Sequence, residues 1–166
     1  MLRKRPAPHR NVGAVACLAL LVVVTAGCGS SDVHIDTPVL TGADAAACAS
    51  LVEALPDAVS DQTRRATDPE DAYGAAWGDP AIVLRCGVSK PAGFDKFATC
   101  QVTNDVGWFV PDEQIDDPSA DVVMTTIGFE QNVEVTVPAS YRPPAAAMVD
   151  LADAIKESIR ERRPCV

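Results

Sequence analysis

Four cysteines, Cys48, Cys86, Cys100 and Cys165, are spread over the second and larger part of the chain. An even number of cysteines in a domain this small reads as a disulfide framework when the compartment is oxidising. Two such cross-links restrict the unfolded chain more than anything else in the sequence. Four cysteines allow three pairings. Their placement favours Cys86 with Cys100 as a local bridge and Cys48 with Cys165 as a bridge between the two ends of the domain. In the loop-entropy picture the short bridge contributes about 3 kcal/mol and the long one about 5 kcal/mol. A zinc site is the competing use of these thiols. It is disfavoured because no CxxC pair occurs and only one histidine, His34, lies outside the first ten residues.

The compartment is set by the N-terminus. Arg3, Lys4, Arg5 and Arg10 precede an apolar run from Val12 to Val24, and no acidic residue occurs there. This is the layout of an export signal. The run is shorter than the roughly 20 residues a membrane-crossing helix needs. It closes on Val24-Thr25-Ala26-Gly27-Cys28-Gly29-Ser30, which resembles a bacterial lipobox, with Thr25 where leucine is usual. The resemblance implies cleavage after Gly27, a diacylglycerol on the Cys28 sulfur, and acylation of the new N-terminus. One acyl chain gives reversible membrane contact and two or more give stable anchoring, at about 0.8 kcal/mol per buried methylene. The expected organisation is therefore a signal peptide over residues 1–27, a lipid-anchored flexible tether over 28–43, rich in Ser, Asp, Thr, Gly and Pro, and one domain over 44–166. Loss of the four basic leader residues takes the formal net charge from −9 to −13. A surface this acidic repels phosphate backbones and anionic headgroups, which argues against nucleic acid as a partner and leaves anchoring to the lipid.

Within the domain, Asp44 is placed to cap a helix that carries Cys48, Leu51, Val52 and Leu55 on one face and stops at Pro56. Residues 57–78 are polar and turn-rich. Five strands are expected after them: 81–88, 99–104, 106–110, 121–129 and 132–137. The last two form a hairpin, with Val123, Thr125, Ile127 and Phe129 on one face of the first and Val133, Val135 and Val137 on one face of the second. Pro143 and Pro144 suit the first turn of a terminal helix whose apolar stripe is Met148, Leu151, Ile155 and Ile159, with Arg160, Arg162 and Arg163 complementing its C-terminal dipole. The expected fold class is α+β: an antiparallel sheet of about five strands, with an N-terminal and a C-terminal helix packed on one face, stapled by disulfides.

Several motifs then coincide. Ala75-Ala76-Trp77-Gly78-Asp79-Pro80-Ala81-Ile82-Val83-Leu84-Arg85-Cys86-Gly87-Val88, Gly107-Trp108-Phe109, Thr125-Thr126-Ile127-Gly128, Val133 to Pro138 and the terminal cysteine occur in order. Together they resemble the actinobacterial domain of unknown function 3515 family over nearly all of the chain after the leader. The resemblance implies a secreted or lipid-anchored envelope protein and brings no assigned activity, substrate or catalytic residue. Phe129 departs from the pattern, in which a basic residue is expected after Ile-Gly.

Chemistry-bearing constellations are few. His34 falls in the expected tether, so a Ser-His-Asp or Cys-His mechanism has no base inside the domain. No GxSxG, HExxH, P-loop or GxGxxG motif occurs, and no cofactor is implied. Asp112, Glu113, Asp116, Asp117 and Asp121 match no calcium loop and read as a solvated connection. The candidate binding residues are Trp77, Asp79, Arg85 and Trp108. Arg85 is expected to pair with Asp79 or another carboxylate, and one of Trp108 and Phe109 to be core while the other is exposed to a partner. The leading expectation is a non-enzymatic module on the outer face of the cell membrane, docking an envelope protein. A binder of a small glycolipid or wall fragment and a carboxylate-dependent hydrolase are the alternatives.

Overall fold

The computed structural model describes residues 31–95 and 97–165. The leader and Cys28 lie outside them. In chain order the elements are β1 (Val33–His34), α1 (Gly42–Ala54), β2 (Ala58–Val59), β3 (Gln62–Arg65), β4 (Thr67–Asp68), β5 (Gly74–Trp77), β6 (Ile82–Val88), β7 (Gln101–Thr103), β8 (Val106–Phe109), α2 (Asp112–Asp116), β9 (Val122–Thr126), β10 (Asn132–Val137), a 3-10 turn (Ala139–Tyr141) and α3 (Ala145–Ser158). Eight strands form one antiparallel sheet in the order β2-β3-β5-β6-β10-β9-β8-β7, and β1 pairs in parallel with β4.

The five expected strands are all present, and the sheet is larger because residues 57–78 add β2, β3 and β5. Their sequences hide them. Gln62-Thr63-Arg64-Arg65 holds one β-branched residue, and Gly74-Ala75-Ala76-Trp77 has none, although all four of the latter are buried. Small residues suffice in β5 because both of its faces are covered. Ala75 packs in the main core, while Ala76 joins Ile35 and Ala72 on the opposite side.

One face of the sheet carries the main core. Cys48 and Leu51 from α1, Leu55 just after it, and Met148, Leu151 and Ile155 from α3 pack there against Leu84, Cys86, Trp108, Met124, Val133 and Val135. Burying a side chain of this size fully is worth about 1.5–3 kcal/mol. The helix stripe expected on α3 is the buried one, and Pro56 follows the end of α1 as expected. The N-cap position of α1 is Thr41, without a side-chain capping bond, rather than Asp44, which lies in the first turn and accepts a hydrogen bond from Gln131 Nε2 at 2.6 Å.

Val123 and Thr125 share a face of β9 as expected, but it is the face away from the main core, which Phe129 beyond the strand joins. Met124 lies opposite Val135 and Val122 opposite Val137, so Val122 and Met124 share the core face of β10, while Val123 and Thr125 point the other way. Thr125 and Thr126 are both buried, so neither threonine marks a solvent-facing side of the strand. Thr126 Oγ1 accepts a hydrogen bond from the Val133 amide at 2.8 Å, which satisfies a polar group on the core side.

Two further expectations are corrected at the ends of the chain. The segment expected as a flexible tether is folded at least from Val33: the Val33 and Ile35 amides donate to Ala66 and Asp68 carbonyls, and Ile35 is only 2% exposed. A single isoleucine in a polar stretch gives no periodic signal, yet it fills the space above Ala72 and Ala76. At the other end α3 stops at Ser158. The tail then runs back along the loop after β9: Phe129 bridges Glu161, and Gly128 O accepts from the Arg162 and Arg163 amides at 2.7 and 3.1 Å. Arg160 and Arg162 thus reach Glu130 rather than the helix terminus.

The disulfides are Cys48–Cys86 and Cys100–Cys165, with Cα separations of 5.6 and 6.0 Å, not the pairs expected. Strand order is the reason. Cys86 lies in β6, and Cys100 immediately precedes β7, four strand spacings or roughly 19 Å away across the sheet. A disulfide spans no more than about 7 Å between Cα atoms. Cys86 instead faces α1 and meets Cys48, while the returning tail carries Cys165 to β7. With sequence separations of 38 and 65, each loop is worth about 4 kcal/mol in the entropic picture.

Candidate functional site

The helices leave the other face of the sheet to different covers. Register sets Arg85 opposite Glu134, Glu134 opposite Thr125, and Thr125 opposite Phe109, a row across β6, β10, β9 and β8 on the side away from α1 and α3. Two segments roof this row from its ends. Val33 and Ile35 lie over Ala76 and Val83 at one end. At the other, Phe94 from the 89–99 connection meets Phe109 edge to face, with ring centroids 5.4 Å apart at 75°.

Between these covers the row is open at Arg85 and Glu134. A cavity of about 470 Å³ there is lined by Asp36, Thr37, Pro38, Gly87, Val88, Ser89, Arg85 and Glu134. Glu134 Oε1 accepts from Arg85 Nε at 3.2 Å and from Arg85 Nη2, and Arg85 Nη1 reaches the Asp36 carbonyl at 3.4 Å. The side chains are 37% and 20% exposed, so the pair is neither buried nor fully in water. A second hollow of about 410 Å³ sits under the connection, between Phe97, Phe109 and Glu113.

The four candidate binding residues do not converge. Trp77 and Trp108 are wholly buried in the main core. Trp77 Nε1 donates to the Pro56 carbonyl at 3.0 Å, and its ring receives the Arg64 guanidinium at 5.7 Å. Trp108 Nε1 has no hydrogen-bond partner among the described residues. Phe109 is buried as well, so neither member of that aromatic pair is presented to solvent. Asp79 is 86% exposed on the β5–β6 turn, where Arg65, not Arg85, approaches it at 3.8 Å. Arg85 alone lies at the open site, and its carboxylate partner is Glu134. The alternation of β10 put Glu134 on the face away from the core; its pairing with β6 was not legible.

The acidic stretch is tied up in local structure. It contains the short α2, and Asp117 accepts hydrogen bonds from the Ser119 amide and hydroxyl, which hold its carboxyl below the usual carboxylate range. Asp121 accepts from the Ala139 amide, and Arg142 donates to the Gln114 and Ala120 carbonyls. Among the described residues no group of three or more His, Cys, Asp or Glu side chains converges to hold a metal.

His34 is the one histidine of the described residues. Its ring nitrogens face Asp68 at 3.4 Å and Asp36 at 3.2 Å, and these hydrogen bonds, Asp68 first, raise its pKa above the ordinary 6.5. The contact joins β1, β4 and the segment leading to the Arg85 cavity.

The motifs that carried the resemblance are largely structural. A side chain at Gly107 would run into Cys165, and one at Gly128 would run into the Arg163 carbonyl. Both glycines make room for the returning tail. The sequence profile described as Protein of unknown function (DUF3515) matches residues 11–164. The chain belongs to the DUF3515 family. No curated protein and no solved structure matches it. In this member of DUF3515, Phe129 is buried and joins the main core, which accounts for an apolar residue at that position. Among the described residues no helix is long and apolar enough to cross a membrane.

Proposed function

We propose that this DUF3515 protein is a lipid-anchored, extracytoplasmic module, cut before Cys28, that docks an envelope protein across the face of its sheet turned away from α1 and α3 and catalyses no reaction. The observation that carries the reading is the Arg85–Glu134 pair in the gap between the two covers, a shallow charged surface and not a closed pocket. Half-exposed charge pairs set partner choice and register more than raw affinity. Two disulfides suit an oxidising compartment. The family match also reaches back through the apolar leader and Cys28.

The alternatives have less to stand on. The hollows of about 470 and 410 Å³ reach the roughly 300–1,000 Å³ of small-molecule sites, but charged groups line them, Asp36, Arg85 and Glu134 in one and Asp95, Asp112 and Glu113 in the other, and the more apolar cavity between Gln114, Ile115, Val122 and Pro144 is only about 210 Å³. A carboxylate hydrolase needs two acids in one cleft. Asp79 projects from the β5–β6 turn, Glu134 shares its cavity with Asp36 but has its Oε1 engaged by Arg85 of β6, and Asp117 of the acidic loop accepts from its own Ser119 amide.

Two measurements test the proposal. Intact mass of the membrane-extracted protein should begin at Cys28 with added acyl groups. A photo-crosslinker placed at Ser89, beside the cavity, should capture one reproducible protein from membranes, whereas the same group at Glu157 on α3 should not. Identical adducts from both positions, or none at Ser89, argue against docking at this face.

A further inference from the structure

The lipid reading and the fold together constrain how this domain sits on its membrane. The Arg65 guanidinium holds two segments at once: Nη2 donates to the Ser31 carbonyl at 2.7 Å, and Nη1 donates to the Gly78 carbonyl at 3.0 Å. The Arg65 side chain is only 14% exposed, so this clamp is seated in the fold. Two residues further on, the Val33 amide bonds Ala66 O at 3.0 Å, and Ile35 is buried. Ser31, three residues after Cys28, is therefore fixed to the domain. Three residues reach about 11 Å at full extension.

We infer that the corner of the domain formed by Ser31, Arg65 and the Gly78–Pro80 turn is held against the bilayer surface, because so short a leash from an acylated Cys28 leaves that corner nowhere else to go. The inference rests on the lipid anchor proposed above. It replaces a freely swinging domain with one whose membrane-facing edge is the β3–β5 side of the sheet and whose β7–β8 side is the far one. Exposed Asp32 and Asp79 lie at the near corner, so short reach and not headgroup attraction provides the apposition.

The native tryptophans report height. Trp77 precedes Gly78 in β5, whereas Trp108 lies in β8, four strand spacings or roughly 19 Å across the sheet. The acylated full chain, checked by intact mass, is placed in phosphatidylcholine vesicles containing a headgroup-dansyl lipid, and energy transfer from tryptophan is read. Trp108→Phe, which leaves Trp77 as donor, should transfer about twofold more than Trp77→Phe, which leaves Trp108. A Gly-Ser insert of about twelve residues between Ser30 and Ser31 adds roughly 19 Å of reach and should cut the Trp77 signal by about half. Should Trp77→Phe fail to fold for want of its bond to Pro56, the insert in the Trp108→Phe background decides alone. Equal transfer from both donors, or a Trp77 signal indifferent to the insert, overturns the placement while the anchor stands. An unacylated mass overturns both.

Discussion

Replacing Gly128 with alanine tests whether the returning tail is a structural part of this fold. Gly128 has φ +93°, a backbone conformation that side chains rarely adopt, and its Cβ would collide with the Arg163 carbonyl. Strain at such a position costs of order 1–3 kcal/mol. Relieving the collision moves the tail and weakens the bonds from the Arg162 and Arg163 amides to Gly128 O, at about 1 kcal/mol each. The expected loss is about 3–5 kcal/mol. Gly42 provides the control: it also has positive φ, at +58°, but nothing lies within 4 Å of its would-be Cβ. Gly42→Ala should cost about 1–2 kcal/mol, the left-handed penalty alone. Urea unfolding of the oxidised protein, followed by fluorescence of the buried Trp77 and Trp108, gives both values. If the two variants agree within about 1 kcal/mol, packing of the tail contributes little and the reasoning fails.

The two disulfides should differ in their response to mild reductant. Cys48 and Cys86 are fully buried, whereas Cys100 and Cys165 are partly exposed, so brief reduction and alkylation should label Cys100 and Cys165 first by peptide mass. Labelling of all four in parallel would contradict the burial difference. His34 should titrate above 6.5 in the folded protein by NMR, and Asp68→Asn and Asp36→Asn should each lower its midpoint. Because the folded pKa is the raised one, the stabilisation from this contact is complete below pH 6.5 and is lost as pH rises through the folded value. A midpoint at or below 6.5 would show that the contact is not formed in solution.

Much of the sheet was legible because its later strands alternate or run apolar, as in Val133, Val135 and Val137. The terminal helix was legible because Met148, Leu151, Ile155 and Ile159 repeat at helical spacing. The missed strands lack such signals: Gln62–Arg65 is polar, and Gly74–Trp77 consists mostly of small residues whose burial depends on Ile35 from a distant segment. The candidate site was only partly legible. Arg85 could be singled out as a charge inside a strand, but its partner Glu134 is 49 residues away and is fixed by the β6–β10 register. Trp77 and Trp108 drew notice as possible contact residues, although their bulk serves the core.

By itself the sequence determined the local elements with a strong period, the family and the even set of four cysteines, because each is written in the linear order of residues. Only the tertiary structure decided which cysteines pair, which face of β9 is inside, that Val33 to Ile35 belong to the fold, and which carboxylate meets Arg85. Those outcomes depend on strand order and on segments far apart in sequence. A spacing of about 4.8 Å between neighbouring strands decides which groups touch, and nothing in the linear pattern specifies who the neighbours are.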